Sequence, residues 1–343
     1  MKKDPKISLI RMICTSMVVL LHIFQQFEVF SPAYNYLTDW LNLGLVMFFS
    51  VSAYLYSCRT ITSIPKWYLH RYVEIAVPSI IVGFCTMIVF YFKEGITAEL
   101  AFSTLLSCAG LQVYAPKPWM FIQLWFLTYI LFFYFTVPFI QKINCKKCND
   151  LCFWSVFVGI LTFVQGSTIV IEQITKIELL SVGILLRLYL PYFLFKRYEI
   201  NGKPIRRIMY VLTGISVLAI TVTCLLRYRF TSVFPDALTE LIFIYTQSVA
   251  GTVLFYWLYQ AFSKLSSYPW ILAASDMLSY EIYLTHCLFI GYSTSLILLF
   301  HHQWYGVLLA LAATIASSIA LHYISSPVKK FLTGEIIFKV KVR

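Results

Sequence analysis

The apolar residues of this chain fall into repeated runs of about 20, the length a helix needs to cross the hydrocarbon core of a bilayer. No other feature constrains the fold as strongly. A backbone in lipid must satisfy its own N–H and C=O groups, which leaves helices and closed barrels. Of the 343 residues, 60% are apolar and only 12% charged, about half the charge of a soluble domain. The short alternating segments of a membrane β-barrel are absent. The expected fold is an all-α integral membrane protein of about ten transmembrane helices. They are expected near 7–30, 38–58, 73–92, 120–141, 151–171, 177–195, 208–226, 241–262, 278–300 and 307–324. A run at 101–111 is too short to span and is expected at the surface or re-entrant.

Charge sets the expected orientation. Lys2, Lys3, Lys6, Arg59, Lys66, Arg71, Lys142, Lys146, Lys147, Lys196, Arg197, Lys203, Arg206, Arg207, Lys264, Lys329, Lys330, Lys339, Lys341 and Arg343 fall on one set of connections, 20 of the 27 basic residues. Lys93, Lys117, Lys176, Arg227 and Arg229 fall on the other. The first set, and with it both termini, is expected in the cytoplasm. The net charge of +12 is therefore a membrane signal and points to no nucleic-acid partner. The first run is long, contains Arg11 and lacks a small-residue cleavage site, so it reads as a retained helix. The domain expectation is one transmembrane domain over 1–325 and a short basic cytoplasmic tail over 326–343. The expected location is the cell inner or plasma membrane.

Nine cysteines are spread along the chain. Cys14, Cys85, Cys224 and Cys287 sit in apolar runs, where cysteine acts as a small hydrophobe. Cys145 and Cys148 form a lone CxxC with only Cys152 nearby, short of a zinc ligand set. No metal is expected.

Two ionisable residues interrupt the first run, "RMICTSMVVLLH" (Arg11–His22). Eleven residues make about three turns, so both side chains share one face, roughly 16 Å apart along the axis. Ser8, Thr15, Gln25 and Gln26 lie near that face. A polar stripe of this kind must meet protein or water rather than lipid. Arg11 would sit near the cytoplasmic end and His22 farther out, where imidazole can take a proton at neutral pH. The plain alternative is that Arg11 snorkels to headgroups and His22 bonds within the bundle.

The pattern R-x10-H in "LIRMICTSMVVLLH" resembles the opening of the membrane-bound acyltransferase-3 family. "MFFSVSAYLYS" (Met47–Ser57), "WYLHRYVEIAVP" (Trp67–Pro78), "QLWFLTYILFFYFTVPFI" (Gln123–Ile140) and "LSYEIYLTHCLF" (Leu278–Phe289) resemble its later motifs, in order. The chain departs from the family pattern at Ala53-Tyr54, where Gly-Phe is common, and at Glu74, where a second arginine is common. The resemblance implies transfer of an acyl group, usually acetyl from cytoplasmic acetyl-CoA, to a hydroxyl of an extracytoplasmic sugar or polymer. The acceptor expected here is a surface polysaccharide or its lipid-linked precursor.

With that chemistry implied, roles can be assigned. Arg71 and Lys66 would hold the phosphates of the donor, with Arg11 on the donor's path. His22 would be general base on the acceptor hydroxyl, or would carry the acyl group transiently. His286, in the matched late motif, would orient the acceptor or stabilise the oxyanion; a hydrogen bond to a neighbouring helix is its plain alternative. Arg187 would serve the donor side, or be neutralised by Glu74 or Glu281. Trp125 and Tyr129, at i and i+4, would line the substrate path or simply pack. The competing function is a transporter or flippase without covalent chemistry. The missing internal repeat counts against it.

Overall fold

The protein is described from a computed structural model. Residues 4–27, 33–95, 97–116, 121, 123–175, 182–229, 236–262, 269–291 and 295–334 are described. Of the charged residues used above, Lys2, Lys3, Lys117, Lys176, Lys264, Lys339, Lys341 and Arg343 lie outside them, as do the side chains of Lys93, Arg227 and Arg229.

Among the described residues every regular element is helical. In order they are α1 (Pro5–Gln25), α2 (Ala33–Leu41), α3 (Leu43–Ser57), α4 (Ile64–Glu94), α5 (Ala98–Cys108), α6 (Trp125–Ile140), α7 (Asp150–Thr175), α8 (Val182–Arg197), α9 (Lys203–Arg229), α10 (Asp236–Ala261), α11 (Pro269–Phe289), α12 (Leu296–Leu299) and α13 (Trp304–Leu332), with one 3-10 turn at Gln112–Tyr114. Six helical stretches are long and apolar enough to cross a membrane: Pro5–Gln25, Leu37–Ser57, Ile64–Phe92, Asp150–Thr168, Lys203–Thr223 and Trp304–Leu332. Asp150–Thr168, Lys203–Thr223 and Trp304–Leu332 turn most of their side chains outward. Leu151 and Phe163 on α7 are 80% and 75% exposed, with Val156, Val158 and Ile160 also exposed between them. Exposed apolar surface of this extent belongs against lipid. This is a membrane protein.

Each expected apolar run contains helix, and the differences lie at the ends. The helix expected from 73 begins at Ile64, because Ser63 is extended and Pro65 stands in the first turn, where proline lacks no needed donor. Lys66, His70 and Arg71 are therefore helical rather than in a loop. The expected 101–111 segment is α5, whose Thr97 hydroxyl accepts from Leu100 N at 3.1 Å, an N-cap. The run expected over 278–300 divides into α11, which starts at Pro269, and the single turn α12. The last helix does not end at 324. It continues through Pro327 to Leu332, so the expected tail from 326 begins inside α13.

The chain forms two compact units. The first comprises Met1–Val18, Tyr36–Thr60 and Phe139–Leu272. In it α3 packs on α8 and α10, and α9 packs on α10. Its core gathers Ile10, Met47, Val51, Phe195, Phe255 and Tyr256. Gly251 makes the α3–α10 crossing possible, since a Cβ there would lie 2.4 Å from the Val46 side chain. The loop before α7 is tied by Arg197, which donates to the carbonyls of Cys145 and Cys148 and to Asp150. Burial pushes the Cys145 thiol up, opposed by nearby Lys196 and Arg197.

The second unit comprises Val19–Asn35, Ile61–Pro138 and Ala273–Arg343. Here α4 packs on α5 and α13, and α12 on α13. Val19, Ile23, Ile290, Ile297 and Ala310 form its apolar core. His302 packs edge-on against Phe27, ring centroids 5.4 Å apart; His301 is exposed.

Candidate active site

The last turns of α1 and α11 both belong to the second unit, and each carries a histidine. The rings of His22 and His286 lie 5.0 Å apart between centroids, tilted by 32°. Each ring is oriented by a hydrogen bond at Nδ1. On α11, His286 Nδ1 lies 2.7 Å from the carbonyl oxygen of Tyr283 and 3.2 Å from that of Ile282. A carbonyl only accepts, so Nδ1 carries the hydrogen and Nε2 keeps its lone pair. On α1, His22 Nδ1 lies 2.7 Å from Gln25 Oε1; the amide oxygen likewise accepts, which frees His22 Nε2. In the neutral ring both imidazoles thus carry their lone pair at Nε2, the arrangement a general base requires.

The two histidines differ in access. His286 is fully buried, whereas His22 is partly exposed. Cys287 Sγ lies 3.2 Å from His286 Nε2 and donates to it. An aromatic series continues from the pair: Tyr283 lies 5.8 Å from His286, and Phe126 of α6 lies 5.3 Å from Tyr283. Trp125 and Tyr129 are neighbours on α6, 5.7 Å apart and edge to face, with Tyr129 buried and Trp125 half-buried.

The sequence match then bears on the site. The family model described as an acyltransferase domain, that of the acyltransferase-3 family, matches residues 4–323. The chain belongs to the acyltransferase-3 family. Neither a curated protein nor a solved structure gives a match.

In this acyltransferase the structure brings together His22 and His286, which the sequence left 264 positions apart. It places Trp125 and Tyr129 beside Phe126, the residue that touches Tyr283. Lys66 is exposed and Arg71 partly buried, both in the first turns of α4. Arg11 is on α1 with His22, three turns earlier; its Nε is buried with no hydrogen-bond partner among the described residues. Arg187 is buried on α8 and donates from Nη2 to Gln247 Oε1 at 3.0 Å.

Glu74 and Glu281 both meet α13. Lys329 Nζ lies 3.9 Å from Glu74 Oε2 and 3.9 Å from Glu281 Oε1, and His322 Nδ1 lies 3.3 Å from Glu281 Oε1. Both acids therefore serve α13. Three participants escaped the sequence reading. Lys329 was counted as a tail residue, Gln247 carried no charge to draw notice, and Cys287 was read as a hydrophobe. A cue was present for the last, because Cys287 directly follows the matched histidine.

Proposed function

We propose that this acyltransferase moves an acyl group, acetyl in the first instance, from cytoplasmic acyl-CoA to a hydroxyl of an extracytoplasmic polysaccharide or its lipid-linked precursor. The observation that carries the reading is the His22–His286 pair, with both rings oriented through Nδ1. In this reading the chain spans the inner or plasma membrane about ten times with both termini in the cytoplasm, as its basic residues favour.

His22 Nε2 takes the proton of the acceptor hydroxyl as the oxygen attacks the thioester carbonyl. The tetrahedral oxyanion collapses, the carbon–sulfur bond breaks, and the CoA thiolate leaves and takes up a proton. The product is an ester and free CoA. Gln25 holds the His22 tautomer, as a triad acid would, but without charge. His286, whose Nε2 already accepts from Cys287, orients the acceptor indirectly, through the ring that packs against His22. Oxyanion stabilisation does not suit His286, whose only N–H is committed to the Tyr283 carbonyl. Arg71 and Lys66 bind donor phosphates, Arg11 and Arg187 add positive charge on the donor's path, and Trp125 and Tyr129 contact the acceptor.

The test is transfer or hydrolysis of labelled acetyl-CoA by the purified protein in nanodiscs. His22→Ala should lose about 10²–10⁴-fold in rate with an unchanged thermal midpoint. Arg11→Ala should weaken acetyl-CoA use. Wild-type protein that ignores acetyl-CoA, yet moves a glycan across a bilayer, would establish the transporter reading instead. Surface-glycan NMR of cells with and without the gene would name acyl group and acceptor through the ester signal that disappears.

A further inference from the structure

His22, His286 and Cys287 are the one group of three metal-ligating side chains that converge among the described residues. One ligand atom from each lies within 4.8 Å of the other two. The donors are two imidazoles and a thiol, the set that suits a borderline-soft d10 cation. Both rings already have what a metal-bound imidazole has, a hydrogen bond at Nδ1: Gln25 for His22 and the Tyr283 carbonyl for His286. Such bonds fix the tautomer and leave Nε2 for the metal. The separation of His286 Nε2 and Cys287 Sγ, 3.2 Å, is close to the about 3.5 Å that zinc-bound nitrogen and sulfur subtend across a tetrahedron. The pair needs only a small opening to admit a cation. His22 is partly exposed, which supplies access.

We propose that this cluster is a zinc site of three protein ligands, His22 Nε2, His286 Nε2 and Cys287 Sγ, with the fourth position open, and that its occupation stops acyl transfer. On binding, Cys287 gives its proton to water and ligates as thiolate. Zinc then takes the His22 lone pair that the hydroxyl proton would occupy, so metal and base chemistry exclude each other. The binding half stands on the geometry alone. The inhibitory half rests on His22 acting as base.

The experiment uses the full chain in nanodiscs, stripped of metal and kept reduced, with Cd2+ as a spectroscopic probe and Zn2+ as competitor. Wild-type protein should bind one more equivalent of Cd2+ than Cys287→Ser, read from the thiolate-to-cadmium charge-transfer band, and Zn2+ should displace it. His286→Ala should weaken that equivalent at least tenfold. Equal stoichiometry and affinity in wild type and Cys287→Ser would overturn the site. Cys287→Ser keeps size and a donor to Nε2, and an unchanged thermal midpoint shows that it folds. Measured against its own metal-free rate, it should need at least tenfold more Zn2+ for half-inhibition. Transfer undiminished with zinc in place would overturn the inhibitory half. A cysteine-dependent metal site in a protein that never uses acetyl-CoA would uphold the binding half and sink the acyl-transfer reading.

Discussion

Gln247 Oε1 accepts from the buried Arg187 guanidinium at 3.0 Å and from Asn42 Nδ2 at 2.9 Å, while Gln247 Nε2 donates to the carbonyl of Asp39 at 3.0 Å. One neutral side chain on α10 thus joins α8 to the junction of α2 and α3. Gln247 is 1% exposed and Arg187 4%, so neither has water to fall back on. Gln247→Leu should destabilise the protein by about 2–3 kcal/mol, the range for a hydrogen bond to a charged group left unmade. Thermal unfolding in nanodiscs measures it. A loss within 0–0.5 kcal/mol, on the order of a surface change, would mean that this network contributes little.

Lys329 meets two carboxylates at equal distance, and burial should separate their effects. Glu281 is 5% exposed at its side chain and Glu74 42%. Glu74→Ala should cost roughly 0–1 kcal/mol, as exposed pairs do. Glu281→Ala removes the partner of both Lys329 and His322 and should cost about 3 kcal/mol. Equal losses in the two variants, measured in one unfolding series, would contradict this assignment.

Gly251 of α10 lies against the Val46 side chain of α3. Gly251→Ala puts a Cβ 2.4 Å from Val46 and should destabilise by about 1–3 kcal/mol through overpacking. Adding Val46→Ala should recover much of the loss, because the clash is with that side chain. The two positions couple if the double mutant loses less than the sum of the single losses.

Gln25 tests the orientation of His22 without touching the ring. Gln25→Ala should lower the rate of acetyl transfer by about tenfold or more, since an unoriented imidazole spends time in the wrong tautomer. Gln25→Glu keeps an acceptor at Nδ1 and should recover activity. The effect should fall on kcat with the KM for acetyl-CoA little changed, the signature of an interaction used in the chemical step.

Helix content was legible because lipid imposes it: each run of about 20 apolar residues had to become helix. The polar stripe on α1 was legible for the same reason, and Ser8 and Thr15 are indeed buried. Helix ends were less legible. The start of α4 rests on Ser63 and Pro65, and α13 runs on through Pro327 to Leu332, neither visible in apolar content.

Partnerships across the chain were beyond periodicity altogether. Local pattern showed neither that Arg187 donates to Gln247 nor that Lys329 lies between Glu74 and Glu281. The sequence by itself determined that this is a helical membrane chain with an arginine and a histidine on one face of its first helix, since hydropathy and the 3.6-residue turn are local properties. Only the tertiary structure decided that His22 meets His286 and that Cys287 stands beside them, because which helix ends come together depends on side-chain packing summed over the whole unit.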